Sequence, residues 1–436
     1  MTQHKHLKQL VRARMEKTGE SYSAARRQTV QQTQHIQQAV LTPVQSRFPQ
    51  HLPGIVPAAA GLRVLFAHAG LGPLSEPMVF GMAGGIGAGV FAFRYEKEDF
   101  SSFYVAGLHL WQDNVAYVKY ACERVGLEPV IQESSGGKSA EKQLLAALDA
   151  GPVLAWVDMA HLPHRALPQA YSGMGYHLVT VYDADPAAGI AHIGDLADDP
   201  IEIPLTALAE ARGRIKSQKH RLLSVKGSGR PLDLRQAVNE GVRACHQALT
   251  SPKMKNFSLE AFKLWAERMH GSSGKESWDM MFPPGHHLWR GLTSLYDYVE
   301  HYGTGGGLMR PMYADFFSEA AEALGDPALR ELGERYAELG RGWSDLADAA
   351  LPSGVPMFRE AKELCTARSE LTLSGGATEE VRSVWTRLGE LGRQARECFP
   401  LTAAQAEALR RDLKARIEKL YEGETAALRA LGAVAP

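Results

Sequence analysis

Between residues 50 and 227 the apolar positions follow two different periods. Residues 153–159 (VLAWVDM), 177–185 (HLVTVYDAD), 190–196 (IAHIGDL) and 221–227 (RLLSVKG) are short runs rich in β-branched and aromatic side chains, and they read as strands. Residues 58–69, 114–125 and 140–148 repeat apolar side chains at three- and four-residue spacing, which predicts helices. The mixture predicts an α+β domain over 50–227. Gly227-Ser228-Gly229-Arg230-Pro231 then reads as a linker whose proline suits the first turn of a new helix. Beyond it the periodic segments, 258–269, 288–302, 313–324 and 327–350, are all helical. An all-α domain is expected over 228–375 and a helical hairpin, broken at Pro400, over 376–436. In that hairpin Thr402 and Gln405 have the spacing of a capping box, ahead of Leu409, Leu413, Ile417 and Leu420 on one face. Such a face predicts packing or self-association rather than catalysis.

Residues 1–49 form a basic helical arm: Lys5, Lys8, Arg12, Arg14, Lys17, Arg26 and Arg27 face only Glu16 and Glu20 in the first thirty positions. Phosphate contact needs clustered Lys and Arg, but a solvated amphipathic arm has the same pattern, and no aromatic side chains interleave with the charges. Over the whole chain 48 basic residues balance 49 acidic ones, which removes a global electrostatic argument for nucleic acid. Four widely separated cysteines suggest neither a disulfide framework nor a thiolate metal site, so a reducing cytoplasm is the expected setting. No segment approaches the roughly 20 apolar residues of a membrane helix, and no membrane contact is expected.

Candidate chemistry concentrates where histidines do. His161 and His164 flank a proline and lack an acidic or thiol partner at ligand spacing, so no metal is expected there. Gly136-Gly137-Lys138-Ser139 ends like a phosphate loop, but Gln132 stands where its first glycine belongs. His177 is better placed, at the start of a strand behind a glycine turn, with Asp195 closing the next strand. Adjacent antiparallel strands would let that carboxylate orient the imidazole, the base and orienter of a cysteine-type triad. A strand-end histidine that only satisfies a carbonyl is the plainer alternative.

Leu74-Ser75-Glu76-Pro77-Met78-Val79-Phe80-Gly81, the glycine-rich 84–89 segment, and Gly175 to Asp183 with Asp195 together resemble the N-terminal domain of the butirosin biosynthesis protein H family. Asn256-Phe257, Tyr298-Val299-Glu300, residues 303–310 and Tyr313-Ala314-Asp315-Phe316 resemble the helical domain that usually follows it. The likeness implies a papain-like fold and, in secondary metabolism of bacterial type, a cysteine that takes an acyl group from a carrier-protein thioester and passes it to an amine. In the family a His-Cys pair opens the helix before the Leu-Ser-Glu segment; here that stretch is Ile55-Val56-Pro57-Ala58-Ala59-Ala60-Gly61-Leu62-Arg63. The nucleophile's position falls on Pro57 or Ala58, neither of which can form an acyl-enzyme.

The resemblance therefore implies a catalytically altered acyltransferase relative. His177 and Asp195 are its retained pair, and Ser75, Glu76, Gly84, Gly85, Gly305, Gly306 and Arg310 are expected around a ligand. The glycine loop at 303–307 reads either as an anion site beside Arg310 or as a helix cap and tight turn. No cofactor is expected beyond a phosphopantetheine-linked acyl group arriving as ligand. An acyl carrier protein, a small acyl or amine ligand and a second copy of the chain are the expected partners. Two rivals stand beside this reading: direct amide-forming transfer with His177 as general base, and a scaffold or nucleic-acid binder acting through the basic arm.

Overall fold

The structure, a computed structural model, describes residues 51–434 apart from 109–112, 228–229, 253 and 303. The basic arm expected over 1–49 lies outside the described residues. Helix α1 (Pro57–His68) opens with proline behind the extended Val56, and residues 58–66 are buried all round. Helix α2 (Glu76–Ala83) is capped by Ser75, whose hydroxyl accepts from Met78 N–H at 3.0 Å. It ends at Gly84 and Gly85, both at positive φ, and a Cβ at Gly85 would meet the Tyr313 ring at 2.5 Å.

Strands β1 (Gly89–Tyr95) and β2 (Phe100–Ala106) form an antiparallel hairpin of their own. The main sheet has six strands in the order β3 (Leu127–Gln132), β8 (Leu222–Gly227), β4 (Val153–Asp158), β5 (Tyr176–Asp185), β6 (Ile190–Gly194), β7 (Ile201–Pro204), each neighbouring pair antiparallel. Between the strands run α3 (Ala116–Arg124), α4 (Gly137–Leu148) and α5 (Leu205–Arg214). Alternation along the strands separates two cores. Leu154, Trp156 and Leu178 join the core of α1 and α2, while Val153, Ala155, Val157, Val179 and Val181 pack with Leu144 of α4 and Leu208 of α5.

Among the described residues no strand follows Gly227. The remainder is α6 (Leu234–Thr250), α7 (Glu260–Met269), α8 (Trp278–Met281), α9 (His286–Glu300), α10 (Arg310–Leu324), α11 (Pro327–Ala350), α12 (Pro356–Leu373), α13 (Thr378–Glu397) and α14 (Ala403–Val434). The α+β arrangement followed by helices is the one expected. The large core crosses the 227/228 junction: Phe103 of β2 packs on Trp265, Trp278 and Phe282. Leu413, Ile417 and Leu420 of α14 are buried within the same chain. The capping box is present, with Thr402 N–H donating to Gln405 Oε1 at 2.9 Å and Gln405 N–H to Thr402 Oγ1 at 3.3 Å. No helix among the described residues is long and apolar enough to cross a membrane.

Candidate functional site

His177 pairs with Val157 of β4, and Asp195 follows β6 directly, so the two-stranded geometry brings their side chains together: His177 Nε2 lies 2.8 Å from Asp195 Oδ1. A single helical turn at Pro163–Arg165 supplies two more groups. Arg165 grips the carboxylate with both arms, Nε to Oδ2 at 2.8 Å and Nη2 to Oδ1 at 2.7 Å, and His164 Nε2 reaches Oδ2 at 2.9 Å. Arg165 Nη2 also stands 2.9 Å from His177 Nε2. That nitrogen faces a donor and an acceptor at once: a protonated Nε2 serves Asp195, a bare one serves Arg165, and no neutral tautomer serves both.

Burial pushes the His177 imidazole below its ordinary value, with Asp195 opposing and Arg165 reinforcing the shift. Burial alone would raise the Asp195 carboxyl, but Arg165, His177 and the hydrogen bond from His164 hold it well below the carboxylate range. The loop between β4 and β5, which carries His164 and Arg165, is tied down by further hydrogen bonds. Asp158 accepts from Gly173 N–H at 2.6 Å, and Ser172 Oγ receives Arg214 Nε at 2.9 Å and meets His161 Nε2 at 2.8 Å.

At the start of α1 the chain closes on itself. Glu76 accepts the backbone N–H groups of Ile55 at 2.9 Å and Val56 at 2.7 Å, so a carboxylate from α2 caps this helix end. Ala58 is buried, and Pro57, Ala60 and Gly61 share with Leu178, Thr180 and Asp195 a cavity of about 10 Å³, room for at most one water. Asp195 touches this cavity; His177 does not line it. By strand alternation His177 shares its sheet face with Val179 and Val181, whereas Leu178 and Thr180 face α1. Among the described residues no hydroxyl or thiol is hydrogen-bonded to His177.

The other residues expected around a ligand have partners within the chain. Ser75 donates to Glu319 as well as capping α2. Gly84 and Gly85 end α2. Gly305 and Gly306 adopt positive φ in a buried turn, where Thr304 Oγ1 accepts Gly306 N–H at 3.3 Å. Arg310 is wholly buried and bonded to Glu424, the Leu308 carbonyl and the Gly87 carbonyl. A larger cavity of about 410 Å³ lies between α3 and α6, lined by Arg124, Arg230 and Arg243 against Glu123, Asp233 and Glu240. None of its lining residues belongs to the His177 cluster. Arg165 and His164 are the neighbours sequence reasoning missed as partners of Asp195; His164 was visible only as half of a discounted metal pair.

None of the four thiols is hydrogen-bonded to the cluster. Cys122, Cys245 and Cys365 are buried, and burial raises their thiols to about 12, 11 and 12 respectively, away from thiolate. Cys398 is exposed at the end of α13.

A six-stranded sheet bearing a buried His–Asp–Arg cluster, continued by a helical array, defines a two-part α+β protein. Two family models match in the same order: butirosin biosynthesis protein H, N-terminal, over residues 58–196, and a domain of unknown function (DUF4872) over residues 206–371. This order matches the architecture of the butirosin biosynthesis protein H family, and the N-terminal match points to a biosynthetic, acyltransferase-like family. A search of curated proteins gives no match.

Proposed function

We propose that this protein is a catalytically altered relative of the carrier-dependent acyltransferases, binding an acyl or amine ligand or an acyl carrier protein without forming an acyl-enzyme. The observation that carries this reading is the start of α1. Residues 55–63 contain no cysteine, serine or threonine, and Pro57 and Ala58 stand where the family resemblance puts the nucleophile. The small cavity beside Pro57, with room for at most one water, and the three buried, protonated thiols support the same reading.

Direct transfer with His177 as general base requires an imidazole nitrogen in contact with the acceptor amine. Here Nε2 is held between Asp195 and Arg165, so that route needs Arg165 to withdraw first. The test is to offer the full chain an acyl-phosphopantetheinyl carrier protein with an amine acceptor, and to measure binding by calorimetry and acylated product by chromatography. Saturable binding without product is the expected result. Product formation that disappears in His177→Ala overturns it in favour of general-base transfer.

A further inference from the structure

The tip of the β1–β2 hairpin meets the first turn of α9, and three potential ligand atoms converge there. Asp99, in the left-handed region at φ 46°, places Oδ1 2.9 Å from His287 Nε2 and Oδ2 3.2 Å from His286 Nε2. One ligand atom from each residue lies within 4.8 Å of the others.

Proton counting shows what the arrangement lacks. The Ser101 hydroxyl has one proton, and the Met281 carbonyl, 2.8 Å away, can only accept it. Ser101 Oγ then accepts from His287 Nδ1 at 2.9 Å, which fixes the imidazole proton on Nδ1. The lone pair of Nε2 is left facing a carboxylate oxygen at 2.9 Å, a repulsive contact unless a cation lies between them. A proton on Nε2 would bridge His287 to Asp99 Oδ1, and His286 Nε2, 3.2 Å from both Oδ2 and the backbone carbonyl of Asp99, can donate a proton of its own. What the arrangement offers a metal ion is the convergence of two imidazole nitrogens and one carboxylate on a single point.

We propose that Asp99, His286 and His287 bind a divalent transition-metal ion of the Zn²⁺ type, clamping the hairpin to α9. Each imidazole nitrogen lies 2.9 or 3.2 Å from an Asp99 carboxylate oxygen, a different oxygen making each contact, close to the edge of about 3.3 Å expected for a tetrahedron with bonds of roughly 2.0 Å. Two imidazoles and one carboxylate suit Zn²⁺, Co²⁺ or Ni²⁺ better than Mg²⁺ or Ca²⁺. The Nδ1–Ser101–Met281 relay is the outer support that metal-bound imidazoles ordinarily have. Two features oppose a cation: the N-terminal dipole of α9, and Arg396, whose Nη1 lies 2.6 Å from Asp99 Oδ2. The Arg396 side chain is 55% exposed and can leave for solvent.

The test titrates the chelator-stripped full chain with Zn²⁺ by calorimetry and with Co²⁺ by visible absorption. Wild type is expected to take up an ion that His286→Ala and Asp99→Asn both lose, together with the Co²⁺ bands. Ser101→Ala, which removes only the support, is expected to weaken binding by about 10- to 100-fold, and Arg396→Ala to strengthen it. Thermal melts check that each variant folds; His286→Ala, at a helix start, decides if Asp99→Asn does not. No uptake by wild type, or equal uptake by wild type and His286→Ala, overturns the proposal and leaves a protonated His287 as the bridge.

Discussion

Two of the arginine–carboxylate pairs among the described residues, Arg310–Glu424 and Arg165–Asp195, differ in what surrounds them. Arg310 and Glu424 meet at 2.6 Å with side chains 0% and 1% exposed; Leu308 and Gly87 carbonyls take the other guanidinium arms, and Trp343 Nε1 donates to Glu424 Oε1 at 2.7 Å. These partners are fixed, and none is a histidine. Around Asp195, by contrast, Arg165 shares the carboxylate with two imidazoles, one of which stands between donor and acceptor. The first pair is a bolt joining α10, α14 and the loop at Gly87. The second can change its protonation, which is what a chemical site needs and a bolt does not.

Breaking the bolt is expected to have the largest effect. Arg310→Leu or Glu424→Leu alone leaves an uncompensated buried charge and should cost about 3–5 kcal/mol in urea denaturation, whereas the double variant should recover much of the loss. Equal losses in single and double variants would mean that packing, not charge, dominates there. Asp195→Asn should cost less, about 1–3 kcal/mol, because Arg165 keeps some solvent. Its cost should also be strongly non-additive with Arg165→Met.

The pH dependence separates the pairs further. His177 is depressed below 6.5 in the folded chain, so only the unfolded chain takes up its proton as pH falls below that value, and stability declines. Asp195, depressed below 3.8, adds a second loss as pH falls through and beneath that value. Denaturation series from pH 7 to pH 4 should show the first loss shrink in His177→Gln and persist in Glu424→Gln. The smallest effect is expected at the capping box, where Thr402→Ala should cost about 1 kcal/mol.

Much of the fold could be read from periodicity because the two sheet faces and the helical array each bury a regular stripe. The strands at 153–158, 176–185, 190–194 and 222–227 and the helix at 327–350 fall where the pattern places them. The β1–β2 hairpin, β3 and β7 escaped it. The hairpin lies beside a glycine-rich run and buries its residues against helices far along the chain, and β7 has only four residues. At the candidate site, the His177–Asp195 contact was legible because adjacent strands bring them together within 18 residues. Arg165 was not, since its reach depends on the turn at Pro163–Arg165. Asp99 and His287 lie 188 residues apart, and no local spacing signals their meeting. Arg310, expected beside a ligand anion, has its guanidinium engaged by Glu424 and by backbone carbonyls that no local pattern reveals.

The most direct test of the central claim is the intact mass of the full chain after exposure to an acyl-phosphopantetheinyl carrier protein, quenched in acid at short times. The account predicts an unchanged mass at every time point, because neither Pro57 nor Ala58 can accept an acyl group. A mass increase equal to the acyl group, mapped by peptide fragmentation to any side chain of this protein, would contradict it.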